Sequence, residues 1–194
     1  MKRTFLFSLL FLVVIAGACK RGEQAVAPQS QTTATTTHPA QTQTQPPPPP
    51  EAGTDVGATM PEYTAMLLDG SKFDLATHRN KVVLLNLWAT WCGPCRAEIP
   101  ELEKMHADYG PKGFEVIGVS LDEGGAETVK QFVDEQKMNY PIVLDPEGKI
   151  ANVFQTSVLP TTALIDRQGR ILWKHYGQVQ TNDATLKQAI EKAL

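Results

Sequence analysis

The sequence predicts an α/β fold in which helices flank a central mixed β-sheet, preceded by a segment that cannot build a core. Short apolar runs typical of buried strands alternate with helical periodicity from about residue 60 onward. An earlier stretch is mainly Gln, Thr, Ala and Pro, yet hydrophobic residues still make up 42% of the 194-residue chain. We therefore expect three parts: a leader at residues 1–19, a disordered tether at 20–58 and one folded domain at 59–194.

The leader has the pattern of an export signal. Lys2 and Arg3 precede an apolar run at residues 5–18, which is shorter than the roughly 20 residues that span a bilayer. The run ends in A-G-A-C, which resembles the lipobox of bacterial lipoproteins, although Leu is more usual where this chain has Ala16. The resemblance implies that Cys19 is lipidated and anchors the mature protein to a membrane. A short membrane anchor, or ordinary cleavage that leaves a free thiol, are the alternatives.

The tether is predicted from its lack of large apolar side chains. Residues 20–58 bury too little surface to offset the entropy of ordering them. The five prolines at 46–50 favour an extended polyproline II spacer of about 3.1 Å per residue. We expect this segment to hold the domain away from a membrane, and a Pro-rich ligand for a partner domain is the alternative.

The folded domain opens with a hairpin and a buried strand. Residues 63–68 and 72–75 flank Asp69-Gly70, a pair that supplies the positive φ angles of a tight turn. Residues 82–88 form a nearly unbroken apolar run, which is typical of a central strand covered on both faces.

Helices and strands alternate through the rest of the chain. Apolar residues at 99, 102, 105 and 109 predict a helix that ends at Gly110-Pro111. The elements predicted after it are a strand at 114–121, a helix at 126–136, a strand at 140–144, a short helix at 148–154, strands at 162–165 and 170–176, and a closing amphipathic helix. This βαβαβ order predicts parallel strands at the centre of the sheet, followed by a hairpin.

The charge balance and the cysteine count exclude several function classes. The chain has 18 Lys and Arg residues against 21 Asp and Glu residues. It therefore lacks the excess of basic side chains that is typical of nucleic-acid-binding proteins. Three cysteines are too few for a disulfide-stapled scaffold. A single C-x-x-C pair with four scattered histidines does not match the usual structural zinc tetrad. We therefore expect neither a nucleic-acid partner nor a bound metal.

The cysteine pair lies where the buried strand meets the first helix. Unpaired N–H groups and the helix dipole stabilise a thiolate there, so the pKa of Cys92 is expected to fall from about 8.5 toward 7. Pro94 suits a first helical turn, and the spacing to Cys95 lets the two sulfurs meet in one small loop. We expect the pair to cycle between dithiol and disulfide. An inert structural disulfide is the alternative, although so small a loop would add little stability.

The residues around the pair carry a family resemblance. W-A-T-W-C-G-P-C-R, from Trp88 to Arg96, resembles the thioredoxin active site, and the run onward to Leu102 is similar to the TlpA/ResA branch of membrane-associated thiol:disulfide oxidoreductases. The resemblance covers about residues 60–194 and implies a thioredoxin-like fold with an N-terminal hairpin extension. It implies no cofactor beyond the redox-active Cys92–Cys95 disulfide.

The resemblance also implies the substrate-binding residues. Leu159 and Pro160 match the cis-proline loop, which in this fold lies beside the active cysteines and offers backbone groups to an extended substrate. An ordinary trans turn is the alternative. Trp91, Gly93 and Pro94 are expected at the same substrate-binding surface.

Proton transfer needs a base other than the one that thioredoxin uses. Asn86 stands where thioredoxin buries an Asp, and we expect it to be a hydrogen-bonded core amide. Glu98 matches a glutamate of ResA-like proteins and lies three residues past Cys95, so it is expected to accept the proton of that thiol. A solvated surface carboxylate is the alternative. Asp122 and the acidic residues that follow it are expected on a solvated face.

Together these patterns predict an extracytoplasmic, membrane-tethered disulfide reductase of the cell envelope. The resemblance implies disulfide-bearing secreted proteins or apocytochrome c as substrates, and a membrane thiol electron donor. One alternative is a Cu(I)-binding lipoprotein, since soft thiolates select that metal. Another is a peroxiredoxin, whose motif would need Pro at position 85 and Thr or Ser at 89, where this chain has Leu85 and Ala89.

Overall fold

The computed structural model describes residues 52–180 and 182–194. The predicted leader with Cys19, and the predicted tether as far as residue 51, lie outside the described residues. None of the described helices is long and apolar enough to cross a membrane. The strands are β1 Thr64–Leu67, β2 Lys72–Asp74, β3 Val82–Trp88, β4 Phe114–Ser120, β5 Ile142–Leu144, β6 Thr161–Ile165 and β7 Ile171–Tyr176. The α-helices are α1 Gly93–Tyr109, α2 Ala126–Gln136, α3 Lys149–Phe154 and α4 Ala184–Ala193.

The strands form one mixed sheet in the order β2-β1-β5-β4-β3-β6-β7. β3, β4 and β5 are parallel, whereas β1–β2, β1–β5, β3–β6 and β6–β7 pair in antiparallel fashion. The predicted α/β class, with a parallel centre and an N-terminal hairpin, is confirmed. In the hairpin turn only the glycine of the Asp-Gly pair, Gly70, has a positive φ, at 85°.

β3 is buried on both faces because α1, α2 and α4 pack on one face of the sheet and α3 packs on the other. Leu84 and Trp88 belong to an apolar cluster that includes side chains of α1, α2 and α4. Leu85 and Leu87 point the opposite way, into a second cluster with side chains of the hairpin and α3. The alternation along one strand therefore explains its unbroken apolar run.

The last residues of the predicted tether are bound to the domain. Gly57 N donates to Ile171 O at 2.8 Å, and Ile171 N donates to Ala58 O at 2.9 Å. Lys174 Nζ donates to Thr54 O at 2.8 Å. The ordered contacts thus begin earlier than residue 59. β7 is an edge strand, so its free backbone groups can pair with a segment that has no large apolar side chains.

Candidate active site

The cysteine pair sits at the point where the chain leaves β3 and enters α1. Cys92 is the N-cap residue of the helix, and its Sγ accepts a hydrogen bond from Cys95 N at 3.2 Å. The two sulfurs form a disulfide with an S–S distance of 2.04 Å. Pro94 lies in the first turn, where its missing N–H breaks no helical hydrogen bond. The predicted meeting of the two sulfurs at a helix N-terminus is therefore present in the structure.

The residues next to the two cysteines in the motif are exposed to solvent. Cys92 and Cys95 are buried, whereas Gly93 and Pro94 are exposed. Trp91 is 72% exposed, whereas Trp side chains are highly buried on average. Trp88, by contrast, is 2% exposed and serves the core. A protein approaching the disulfide would thus meet Trp91, Gly93 and Pro94 first.

The loop before β6 has the predicted cis geometry. The peptide bond between Leu159 and Pro160 is cis. Pro160 is buried, and its carbonyl oxygen accepts a hydrogen bond from Gly177 N at 2.8 Å. Leu159 is half-buried and packs against the apolar cluster that contains both active cysteines. The fold therefore brings this loop and the cysteine pair to a common apolar cluster, although 64 residues of sequence separate Leu159 from Cys95.

Glu98 is a buried carboxylate and not a surface one. Its side chain is 1% exposed and lies one helical turn beyond Cys95. Asn86 Nδ2 donates to Oε1 at 2.8 Å, and Val179 N donates to Oε2 at 2.7 Å. Asn86 Nδ2 also donates to Thr162 Oγ1 at 2.9 Å. Asn86 is thus the hydrogen-bonded core amide that the sequence predicts, and it ties the carboxylate of Glu98 to β6.

Burial raises the pKa of Glu98 to about 7 from its ordinary value of 4.5. The hydrogen bonds from Val179 and Asn86 favour the charged form and lower the pKa, but the loss of hydration outweighs them. A carboxyl group with a pKa near neutrality can both accept and return a proton at physiological pH. The arrangement therefore places a carboxyl group that can exchange protons one helical turn beyond Cys95.

Three residues near the site have contacts that the sequence does not predict. Thr162 and Val179 contact the Asn86–Glu98 pair from 76 and 81 residues away, so no local spacing signals them. The sequence predicts a solvated face for Asp122, and this prediction is wrong: Asp122 is 6% exposed and accepts hydrogen bonds from Thr90 and Ser120. The reason is topological, since parallel pairing of β3 and β4 brings the residues after both strands to the same sheet edge.

The histidines of the described residues have separate structural contacts. His78 Nδ1 lies 2.8 Å from Glu115 Oε2, and His106 Nδ1 accepts a hydrogen bond from Val116 N at 3.2 Å. His175 stacks on Trp173. Over residues 52–180 and 182–194, no group of three His, Cys, Asp or Glu side chains is arranged to hold a metal ion.

Comparisons with known proteins agree with this geometry. Residues 55–190 match the redoxin family. The chain is 33% identical over 128 residues to the thiol-disulfide oxidoreductase ResA of Bacillus thuringiensis subsp. konkukian, covering 66% of this chain and 73% of that protein. A crystal structure of a DsbF homologue from Corynebacterium diphtheriae has a TM-score of 0.65 and 29% identity, covering 76% of this chain and 96% of that one. A secreted thiol-disulfide isomerase from Corynebacterium glutamicum has a TM-score of 0.63 and 29% identity, with coverages of 68% and 83%.

Proposed function

The chain belongs to the redoxin family and is a thiol-disulfide oxidoreductase, and from this premise we propose that it reduces protein disulfides in the cell envelope. One observation carries the disulfide chemistry of this proposal: the Cys92–Cys95 pair lies at the start of a helix that buries a carboxylate, Glu98, one turn further along. In this proposal the helix N-terminus stabilises a thiolate on Cys92, and Glu98 accepts the proton of Cys95.

The reaction begins with the dithiol form. The thiolate of Cys92 attacks one sulfur of the substrate disulfide, whose S–S bond breaks while the second substrate sulfur leaves as a thiolate. A mixed disulfide now joins Cys92 to the substrate. Trp91 and the exposed backbone of Gly93 would lie against the substrate at this stage, with the Leu159–Pro160 loop supplying backbone groups to an extended segment.

The second step releases the substrate. Glu98 accepts the proton of the Cys95 thiol, and the resulting thiolate attacks Cys92 Sγ, so that the first substrate sulfur also leaves as a thiolate. Two electrons have passed from the dithiol to the substrate, and the enzyme is left with the Cys92–Cys95 disulfide. A pKa near 7 keeps part of the Glu98 population ionised at neutral pH and so ready to take the proton.

We further propose that lipidated Cys19 anchors the protein to a membrane and that residues 20–51 act as its tether. The A-G-A-C sequence and the Pro-rich composition support this. The substrates would be disulfide-bearing secreted proteins or apocytochrome c, and a membrane thiol donor would return the enzyme to its dithiol form. The likeness to a secreted isomerase from Corynebacterium glutamicum supports a site of action outside the cytoplasm.

The proposal is tested by an insulin-reduction assay together with the redox potential of the Cys92–Cys95 couple, measured against glutathione. The dithiol form should reduce insulin. Glu98→Gln keeps the shape of the side chain but removes the proton acceptor, so turnover should fall about 10²-fold while attack by Cys92 is less affected. The proposal of a reductase would be refuted if the dithiol form left insulin disulfides intact and the redox potential of the Cys92–Cys95 couple were close to that of strong oxidants.

The same preparation separates the two alternative functions. Copper(I) titration of the dithiol form would reveal a copper-binding lipoprotein by tight, stoichiometric uptake. Peroxide consumption with a thiol donor would reveal a peroxidase. We expect disulfide reduction without tight, stoichiometric copper(I) uptake, and we expect any peroxide consumption to be slower than disulfide reduction.

A further inference from the structure

Asp122, in the loop after β4, is a buried carboxylate that the reaction above does not use. It is 6% exposed, and it accepts hydrogen bonds from neutral groups of Thr90 and Ser120. Thr90 N donates to Oδ2 at 3.0 Å and to Oδ1 at 3.2 Å, and Thr90 Oγ1 donates to Oδ1 at 2.6 Å. Ser120 Oγ donates to Oδ2 at 2.8 Å. Since burying a carboxylate is costly, a site with this many converging donors is a built feature of the loop.

Thr90, which donates hydrogen bonds to Asp122, belongs to the turn that leads into the active-site helix. Cys92 N donates to Ala89 O at 3.1 Å, which closes a turn over Thr90 and Trp91. Trp88, one residue before this turn, accepts a hydrogen bond from Leu121 N at 2.9 Å. The backbone pairing between the end of β3 and the residues after β4 ends at this bond. The carboxylate of Asp122 then takes the place of a backbone acceptor for Thr90.

We propose that Asp122 is a positioning residue for the nucleophile: by holding Thr90, it fixes the turn that places Cys92 and Trp91 at the start of the helix. Disulfide exchange requires the attacking thiolate to approach along the axis of the S–S bond, so the freedom of this turn affects the rate directly. The proposal rests on the proposed function, because it concerns the same cysteine.

The charge of Asp122 has a second consequence. A buried negative charge close to the turn disfavours a thiolate on Cys92, in opposition to the helix N-terminus. Replacing Asp122 by Asn keeps an acceptor oxygen for Thr90 while removing the charge. The hydrogen bonds and the charge can therefore be tested separately.

The test uses the full chain in its dithiol form and oxidised glutathione as a small disulfide. The first pair of variants is Thr90→Val, which loses the hydroxyl at nearly constant shape, and Thr90→Ser, which retains it. The second pair is Asp122→Ala and Asp122→Asn. Three quantities are measured for each: the rate of mixed-disulfide formation at Cys92, the pKa of Cys92 from the pH dependence of its alkylation, and the melting temperature.

Thr90→Val and Asp122→Ala should slow mixed-disulfide formation about 10-fold, whereas Thr90→Ser should stay within about 3-fold of the unaltered protein. Asp122→Asn should also stay within about 3-fold, and the pKa of Cys92 should fall because a nearby negative charge is removed. If Asp122→Ala does not fold, the Thr90 pair decides the matter.

Lower melting temperatures with unchanged Cys92 rates and pKa would overturn the proposal and leave Asp122 as a loop-stabilising residue only. This outcome is distinct from failure of the proposed function. The Cys92 rates are measured with a small disulfide and do not depend on whether insulin or any other protein is reduced.

Discussion

The raised pKa of Glu98 predicts that the free energy of unfolding depends on pH. The folded protein holds this carboxyl group at a pKa of about 7, above the 4.5 of an exposed glutamate. The folded state therefore keeps the proton over a pH range in which the unfolded chain has lost it. The contribution of Glu98 to the free energy of unfolding is fully present below about pH 4.5 and is lost as the pH rises through about 7.

The size of the loss follows from the difference between the two pKa values. Each unit of pKa corresponds to about 1.4 kcal/mol, so ionising Glu98 costs the folded protein about 3 kcal/mol more than the unfolded chain. The side chain is 1% exposed, so solvent does not screen this cost appreciably. Since a domain of this size is stable by about 5–15 kcal/mol, the loss is large enough to measure.

The perturbation is Glu98→Gln, and the assay is urea unfolding of the disulfide form across roughly pH 4 to 8. Using the disulfide form keeps the thiols of Cys92 and Cys95 out of the titration. The free energy of unfolding of the unaltered protein minus that of the variant should decrease by about 3 kcal/mol as the pH rises through this range. Other ionisable groups change both proteins alike and cancel in the difference.

Two further variants sharpen the experiment. Asn86→Ala removes a hydrogen bond that favours the charged form of Glu98, so the loss of stability should extend to higher pH. Glu101→Gln removes another carboxylate from the same helix and shows how much a change of one charge contributes by itself. A difference between the unaltered protein and Glu98→Gln that stays flat with pH would refute the reasoning.

Three other predictions concern the cysteine pair, the core and the N-terminal segment. Cys95→Ser should accumulate mixed disulfides through Cys92, whereas Cys92→Ser should trap almost none; mass spectrometry of alkylated samples checks this, and faster alkylation of Cys95 at neutral pH would reverse the assignment. Gly118→Ala should destabilise the domain by about 1–3 kcal/mol in urea unfolding, because its added Cβ would lie 2.9 Å from the indole nitrogen of Trp88. A chain starting at residue 52 should unfold at the same urea concentration as the full chain, and one starting at 59 should unfold at a lower one; equal midpoints would mean that the contacts of residues 52–58 with β7 add nothing.

The sequence predicts the elements well where local patterns dominate. The apolar run of β3, the helical spacing after Cys95 and the Asp-Gly turn all depend on residues close together in the chain, and the structure contains each of them. β5 begins at Ile142, two residues later than predicted. The hydrogen bonds of Gly57 and Ala58 to Ile171 could not be predicted, because backbone pairing with an edge strand leaves no trace in side-chain composition.

The redox pair itself could be found from the sequence alone. Its members are three residues apart, and the strand before them and the helix after them are both visible as patterns, so their chemistry follows from local geometry. Only the tertiary structure decided the surroundings of that pair. Glu98 is buried and its pKa raised because β3, the Val179 segment and α1 close around it, and Asp122 reaches Thr90 because two parallel strands end at one sheet edge. Burial and hydrogen bonding between distant segments are properties of the packed chain, and they control the protonation of a carboxyl group in a way that its neighbours in sequence do not.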